Sequence, residues 1–236
     1  MEAVEKIATI YTDLPEKFGV PRQSGLVPGL EAKIVMEPKY RNPQAFLGIE
    51  EYSHLWLLWD FSKVEAKEGF TATVCPPRLG GKERRGVFAT RSPFRPNPIG
   101  LSCVKLIRVE KDTLQGTVLY VAGADLMNGT PILDIKPYLP YCDAHPEALG
   151  GFGEAHKEER IPVEFPEDLL AQIPTEKREG LLGVLEQDPR AAYQKKNDSV
   201  YGLSFAGFDI RFTVKEGVLV VNGVEEVRQK DYKKVK

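Results

Sequence analysis

The stretch HLWLLWDF, residues 54–61, is apolar almost continuously rather than at alternate positions, which predicts a strand buried on both faces. Further short β-rich runs fill the first two thirds of the chain, and Gly, Pro and Asn clusters separate them. The helical stretches of a βαβ repeat are missing between these runs, so we predict a mainly β fold built around a closed or nearly closed β-barrel. The other runs are EKIATIY, EAKIVME, FTATV, GVFAT, LSCVKLIRV, TLQGTVLYV and PILDIK.

The composition and periodicity of the sequence change after this region. Pro, Gly and charged residues accumulate without periodicity, which predicts a linker at residues 148–160. The β-barrel domain is therefore assigned to residues 1–147, and a small α+β domain to residues 161–236.

Within the C-terminal part, the segments FPEDLLAQIP and TEKREGLLGVLEQDP have a helical pattern. In the second one, Thr175 is a candidate N-cap, Leu181, Val184 and Leu185 share one face, and Pro189 ends the run. The segment FDIRFTVKEGVLVVNGV alternates around a KEG turn and predicts a hairpin.

Composition and charge exclude several classes of protein. The chain has 236 residues, a charged content of 28% and a formal net charge of -2, so any site for a polyanion has to be local. Three scattered cysteines (Cys75, Cys103 and Cys142) and dispersed histidines predict neither disulfides nor a metal site. No leader or membrane-spanning stretch is visible, and we expect a cytoplasmic protein.

The common nucleotide and hydrolase motifs are also missing from the sequence. No G-x-G-x-x-G lies between a strand and a helix, and no G-x-S-x-G is present. The stretch LGGKERRG resembles a phosphate loop, but Glu83 follows Lys82 where Ser or Thr is required. A Rossmann-type nucleotide site is therefore not supported.

The stretch RSPFRPNPIGLS, which begins at Arg91, combines a rigid backbone with two cations. Prolines at 93, 96 and 98 fix φ and remove amide donors, which predicts a stiff extended loop. Arg91 and Arg95 on such a loop lose little entropy when they bind, as suits recognition of an anion. The alternatives are a solvated rim loop or a PxxP ligand for an SH3-like partner.

A basic cluster lies just upstream of the proline loop. Charge runs are usually solvated faces, but one placed before a rigid arginine loop suggests a polyanion partner such as RNA. Against one acidic residue, Glu83, the cluster contains Arg78, Lys82, Arg84, Arg85 and Arg91.

The segment NGTPILDIKPY provides a candidate acid–base pair. Asn128-Gly129 is a tight-turn signal, and the period of two in the strand after it puts Asp134 and Lys136 on one face. This pair is either a surface ion pair worth well under ~1 kcal/mol or a device that positions or deprotonates a substrate nitrogen.

Several of these stretches together resemble the TsaA-like (TrmO) family of tRNA (adenine-37 N6) methyltransferases. The resemblance rests on RSPFRPNPIGLS and NGTPILDIKPY together with VPRQSG, SHLWLLW and QDPRAAY, and it covers nearly the whole chain. It implies a non-Rossmann β-barrel methyltransferase that uses S-adenosylmethionine (SAM), forms a homodimer and binds the cofactor near the subunit interface. The implied substrate is N6-threonylcarbamoyladenosine (t6A) at position 37 in the anticodon loop of threonine tRNA.

The resemblance also implies which residues hold the cofactor. One position departs from the family pattern: Asn128 stands where an Asp usually precedes Gly-Thr-Pro, so the acceptor oxygen is kept but the charge is lost. The implied cofactor contacts are Pro21, Arg22, Gln23, His54, Leu55, Arg91, Leu101, Asp125, Leu126, Met127 and Asn128.

For the acceptor, we hypothesise that Asp134, with Lys136 and Tyr138, orients or deprotonates the N6 group. Arg95 or Lys136 then holds the threonyl carboxylate. Asn97 is the rival, because an Asn carbonyl followed by Pro can accept a hydrogen bond from a purine amine. Arg78, Lys82, Arg84, Arg85 and Arg95 are the predicted tRNA contacts.

Three other functions are compatible with the same residues. A sensing module would bind SAM without turnover, and an RNA-binding protein would bind tRNA with a steep salt dependence and no need for cofactor. A small-molecule methyltransferase on the same barrel would ignore tRNA.

Overall fold

The computed structural model describes residues 4–64, 69–76, 83–156, 159–190 and 199–227. Among the described residues, eight strands precede residue 138, and six of them form the closed barrel. The eight are β1 (Ala8–Tyr11), β2 (Glu31–Met36), β3 (His54–Asp60), β4 (Thr73–Val74), β5 (Arg85–Gly86), β6 (Ile99–Thr113), β7 (Gly116–Ala122) and β8 (Thr130–Pro137).

The barrel follows the order β1-β2-β7-β6-β3-β8 and closes through the pairing of β8 with β1. All its pairs are antiparallel, and the inward side chains form one apolar core that includes Ile10, Ile34, Leu57, Leu119 and Ile132. The mainly β class and the closed barrel are therefore confirmed. Short 3-10 helices at Pro38–Tyr40, Pro43–Phe46 and Ile49–Glu51 connect β2 to β3.

The prediction for β3 was wrong in one respect. Leu55, Leu57 and Trp59 are buried, but the side chains between them, including Trp56 and Leu58, are only half-buried. The reason is that a barrel strand has a single interior face, and the apolar residues on its outer face cover the barrel wall instead of a second core.

The strand predicted from FTATV is reduced to Thr73–Val74. The strand prediction for GVFAT was wrong, because only its Gly86 lies in a strand and Val87–Ala89 form a 3-10 helix. β4 and β5 pair over two residues each, and the chain then turns into a 3-10 helix at Val87–Ala89. Val87 anchors this helix, because its side chain is buried and its N–H donates to the carbonyl of Ala72 at 2.9 Å. We call residues 69–76 and 83–90 the ribbon arm.

The C-terminal part is a four-stranded sheet of order β10-β11-β12-β9 with a helix against it. The predicted helix face is confirmed, since Leu181, Val184 and Leu185 are all buried. The KEG hairpin is confirmed as well, with positive φ at Glu216 and Gly217, as a two-residue hairpin turn requires. After β8 the chain forms α1 (Pro140–Asp143) and a 3-10 helix (Gly151–His156). The elements of the C-terminal part are β9 (Val163–Glu164), α2 (Glu167–Leu170), α3 (Thr175–Glu186), β10 (Tyr201–Phe205), β11 (Phe208–Lys215) and β12 (Val218–Glu226).

The loop between β1 and β2 joins the two parts of the molecule. Its side chains at Leu14, Val27 and Leu30 are buried in the core of the C-terminal sheet. Lys177 of α3 forms an ion pair of 2.7 Å with Asp13 at the start of this loop. The barrel and the C-terminal sheet therefore share apolar contacts, while the domain boundaries at residues 147 and 161 stay a prediction.

No described helix is long and apolar enough to cross a membrane. Within the same part of the chain, no group of three His, Cys, Asp or Glu side chains is arranged to hold a metal ion.

Candidate active site

The outer face of β8, β3 and β6 carries the predicted acid–base pair. Asp134 Oδ2 lies 2.7 Å from Lys136 Nζ, and both side chains are substantially exposed. In the strand register, Asp134 is opposite Leu58, which is opposite Leu101 on β6. Leu101 is 45% exposed and contributes an apolar patch to the outer face. The carboxylate of Asp134 therefore lies on the same row of the sheet as this patch.

A register shift puts Asp134 on this outer face. Leu58 pairs with Asp134, but the next residue of β3, Trp59, pairs with Ile132, so Leu133 is an extra residue in β8. Ile132 is fully buried inside the barrel. Without the extra residue, Asp134 would point to the same interior side as Ile132, because side chains two apart in a strand share a face.

Aromatic side chains surround the end of the same face. The ring of Tyr138 meets His54 edge-on at 6.1 Å and lies 5.7 Å from Trp56. The indole N–H of Trp56 donates to Asp143 Oδ2 at 2.9 Å, and Leu139 N–H donates to the same oxygen at 2.8 Å. These two bonds, the backbone one first, lower the pKa of Asp143.

The proline loop brings two separately predicted residues into contact. Nη1 of Arg91 donates to Oε1 of Gln23 at 2.5 Å, across 68 residues of sequence. Arg95 instead folds back on its own loop, where its Nη1 donates to the carbonyls of Thr90 at 2.8 Å and Ser92 at 3.4 Å. Arg95, one of the two predicted cations, therefore stabilises the conformation of the proline loop itself.

Asp125 ends a hydrogen-bond chain that begins inside the barrel. The indole N–H of Trp59 donates to Ser102 Oγ at 2.9 Å, and that hydroxyl donates to Asp125 Oδ1 at 2.5 Å. Burial raises the pKa of Asp125, against the opposing effects of the Ser102 hydrogen bond and the nearby positive charge of Arg91. Trp59 itself fits only because Gly100 lies under its ring, where a Cβ atom would come within 2.2 Å.

Ser24 ties this cluster to the outer face of the barrel. Its Oγ accepts the N–H of Cys103 at 3.1 Å, in the part of β6 that precedes the pairing with β7. Gln23, the neighbour of Ser24, and its partner Arg91 are therefore held beside the strand that also carries Leu101. Gln23, Arg91, Leu101 and Asp125 belong to one region of the molecule.

Other predicted cofactor residues have different surroundings. The side chains of Leu55 and Leu126 are buried in the barrel core, so only their backbone atoms are available to a ligand. Pro21 is buried and Arg22 is exposed.

The residues from 126 to 128 hold the start of the β1–β2 loop. Asn128 Oδ1 accepts the N–H of Thr12 at 3.1 Å, and the carbonyl of Leu126 accepts the Thr12 hydroxyl at 3.2 Å. The carbonyl of Met127 accepts the hydroxyl of Thr130 at 2.8 Å. The cofactor role of these residues stays a prediction.

Of the predicted RNA contacts, Arg84 and Arg85 lie in the ribbon arm. Arg84 Nη1 donates to Thr73 Oγ1 at 2.7 Å, and Arg85 is paired with Glu83 at 2.5 Å. Arg78 and Lys82 lie outside the described residues. Asn97, the rival to Asp134, is exposed, and its carbonyl accepts the N–H of Ile99 at 2.8 Å.

Sequence reasoning missed four residues of this region: Trp59, Ser102, Ser24 and Asp143. Each acts through a contact between segments distant in sequence. Trp59, Ser102 and Ser24 lie within the quoted stretches SHLWLLW, RSPFRPNPIGLS and VPRQSG, but those stretches contain no signal of the contacts. Trp56 is contained in the quoted SHLWLLW stretch, but only the barrel geometry shows that it faces outward.

The donor set of this region fits SAM. The guanidinium of Arg91 is complementary to an amino-acid carboxylate, and the carboxyl of Asp125 is an acceptor for ammonium or hydroxyl donors. The exposed side chain of Leu101 is suited to a flat apolar base. When bound, SAM supplies an electrophilic methyl group.

Comparisons with known proteins agree with this description. The tRNA-methyltransferase O N-terminal domain model matches residues 9–144, and the TrmO C-terminal domain model matches residues 158–227. A tRNA (adenine(37)-N6)-methyltransferase of Escherichia coli (strain K12) is 39% identical over 231 residues, covering 94% of this chain and 97% of the relative. One from Eikenella corrodens is 42% identical over 179 residues, which is 75% of this chain and 98% of that protein.

Comparison with solved structures agrees with these sequence matches. The crystal structure of TrmO from Pseudomonas aeruginosa superposes with a TM-score of 0.75 at 31% identity, covering 95% of this chain and 99% of that one. Taken together, the two family models extend over nearly the whole sequence, as do the Escherichia coli relative and the shared fold. The chain therefore belongs to the TrmO family of tRNA methyltransferases.

Proposed function

We propose that the protein is a SAM-dependent tRNA (adenine-N6) methyltransferase whose substrate is t6A at position 37 in the anticodon loop of threonine tRNA. The observation that carries this proposal is the outward-facing Asp134–Lys136 pair beside Leu58 and Leu101. This arrangement provides a base, a cation and an apolar surface on the face of the barrel that adjoins Gln23 and Arg91. Membership of the family supplies the reaction class.

In the reaction, the N6 nitrogen attacks the methyl carbon of SAM. The bond between that carbon and the sulfur breaks, its electron pair stays on the sulfur, and the N6 proton passes to a base. We assign the base to Asp134. Lys136 Nζ lies 2.7 Å from the carboxylate of Asp134.

The acceptor itself makes this step easier. In t6A the N6 nitrogen is part of a ureido group, whose N–H is more acidic than that of a free aminopurine. A carboxylate is then an adequate base, and methylation of unmodified adenosine is expected to be much slower. Lys136 or Arg95 holds the threonyl carboxylate, and Tyr138 bounds the site.

A homodimer is part of the proposal. The outer face of the barrel exposes Ile99 and Leu101 by 41% and 45%, next to the candidate cofactor residues. Burial of these side chains against a second copy would bring the cofactor site to the subunit boundary. Sedimentation equilibrium of the purified protein tests this point. We further propose that the enzyme works in the cytoplasm, where tRNA is the substrate.

The test of the function is transfer of labelled methyl from SAM to threonine tRNA, run in parallel on an unmodified transcript and on t6A-containing tRNA. Nucleoside mass spectrometry then identifies the product. Methylation confined to the t6A-containing tRNA supports the proposal. SAM binding without transfer to either RNA would contradict it and would favour the sensing module or another acceptor.

A further inference from the structure

Two phenylalanines form an exposed stacked pair on the ribbon arm. The rings of Phe70, just before β4, and Phe88, just after β5, lie 6.0 Å apart at an angle of 24°. Their side chains are 61% and 72% exposed. A single exposed apolar residue is ordinary, but two parallel rings held together in water are a surface of defined shape.

The backbone under this pair is fixed by its own contacts. Val87, the neighbour of Phe88, has a buried side chain and donates its N–H to Ala72. The carbonyl of Val87 in turn accepts the N–H of Thr90 at 3.2 Å and its hydroxyl at 2.9 Å. These bonds hold Phe88 on the outside of the turn, so the local backbone structure keeps its side chain exposed to solvent.

The pair lies in a cationic segment. Residues 83–95 contain four arginines and one acidic residue, Glu83, in a chain whose formal net charge is -2. Among the described contacts of this segment, only Arg85 is paired with a carboxylate. Stacked aromatic rings flanked by cations are the combination with which proteins bind single-stranded nucleic acid, because bases stack on the rings while phosphates meet the charges.

The pair is also close to the candidate active site. Phe88 is three residues before Arg91, so their Cα atoms are at most about 11 Å apart. Arg91 contacts Gln23 in the candidate cofactor region. A nucleotide bound on the rings would therefore be next to the nucleotide presented to the cofactor.

We propose that Phe70 and Phe88 form a stacking platform for an unpaired base of the tRNA anticodon loop, which positions the target nucleotide; this inference rests on tRNA being the substrate. Chemistry on a base requires that base to leave its stack. An aromatic platform replaces the stacking that the neighbouring base loses, and it does so without regard to sequence.

The test compares Phe70→Ala, Phe88→Ala and Phe88→Leu with Phe88→Trp. Leu114→Ala serves as the matched control, because Leu114 is fully exposed on the distant β6–β7 turn. The dissociation constant for threonine tRNA is measured by filter binding. Alanine and leucine variants should bind about tenfold more weakly, whereas Phe88→Trp and Leu114→Ala should stay within twofold of the wild type.

Further readouts separate a role in RNA binding from damage to the fold or to the cofactor site. SAM affinity and melting temperature should be unchanged, while KM for tRNA rises. A 2-aminopurine placed in the anticodon loop should be quenched on binding to the wild type and not to Phe88→Leu.

Unchanged tRNA affinity in the alanine variants would overturn the platform. So would weakened self-association of these variants in sedimentation equilibrium, which would identify the pair as a contact between copies. If the wild type failed to methylate t6A-containing tRNA while the ring substitutions still weakened tRNA binding, the substrate assignment would be wrong and the stacking platform would be supported.

Discussion

The guanidinium of Arg91 and the side-chain amide oxygen of Gln23 are 2.5 Å apart, although 68 residues separate them in the chain. One residue belongs to the proline loop before β6 and the other to the loop between β1 and β2. The contact links the two segments that border the outer face of the barrel. It also fixes the direction of the guanidinium before any ligand arrives, which lowers the entropic cost of binding an anion.

Replacement of Arg91 by Lys should weaken SAM binding. An ammonium keeps the charge but loses the planar fork, and a hydrogen bond to a charged group is worth about 1.5–3 kcal/mol. We expect the dissociation constant for SAM, measured by titration calorimetry, to rise at least about tenfold. Arg108→Lys is the control, because Arg108 lies over the ring of Tyr120, on another part of the barrel. Equal effects of the two substitutions would show that Arg91 has no special role.

Replacement of Asp134 by Asn should slow chemistry and leave binding intact. The amide keeps the shape of the side chain but cannot take the N6 proton, so kcat should fall by about 10²–10⁴-fold. SAM and tRNA affinities should remain within twofold, since the side chain is at the surface beside Lys136. Single-turnover transfer to t6A-containing tRNA measures the loss. If Asn97→Ala abolished transfer while Asp134→Asn did not, Asp134 would not be the base, and the group that orients N6 by accepting its hydrogen bond would be Asn97.

The sequence was sufficient to predict what depends on local pattern. Prolines at fixed spacing, the KEG turn and the apolar face of α3 are all consequences of neighbouring residues. The outward position of Asp134 depends on one extra residue in β8, and the period of two alone cannot reveal such a shift. The half-exposed outer face of β3 depends on barrel closure, and the Trp59–Ser102–Asp125 chain depends on register between strands. Long-range pairing, unlike local pattern, leaves no periodic signal in a single sequence.

A methyl group added at Gly100 should destabilise the barrel. Its Cβ would lie 2.2 Å from the ring of Trp59, a bulky buried side chain held by its hydrogen bond to Ser102. Overpacking of this kind costs about 1–3 kcal/mol, so Gly100→Ala should unfold at lower urea concentration than the wild type. Gly86→Ala is the matched control, because no atom lies within 4 Å of its added Cβ and its φ is -57°. A midpoint for Gly100→Ala equal to that of the control would mean that the Trp59 ring moves freely.

Replacement of Asp125 by Asn should stabilise the protein at alkaline pH. Burial raises the pKa of Asp125 above the ordinary value, so the folded state binds its proton more tightly than the unfolded state does. This contribution to stability is complete below the unfolded pKa and is lost as pH rises through the folded one. The variant should therefore melt above the wild type at pH 8, and its advantage should shrink as pH falls towards 4. If Asp125 also contacts SAM, the same substitution should weaken SAM binding.

Replacement of Asp143 by Asn should show the opposite pH dependence. Hydrogen bonds from Leu139 N–H and from the indole of Trp56 lower the pKa of Asp143. Its ionised form therefore contributes stability above the unfolded pKa, and this contribution is lost as pH falls through the folded pKa. Asp143→Asn should melt below the wild type at pH 7, and the two should converge under acid conditions. The melting difference is followed from pH 3 to pH 8 and should have the sign opposite to that of Asp125→Asn. If Asp143→Asn melted at or above the wild-type temperature at pH 7, the assignment of Asp143 would be contradicted.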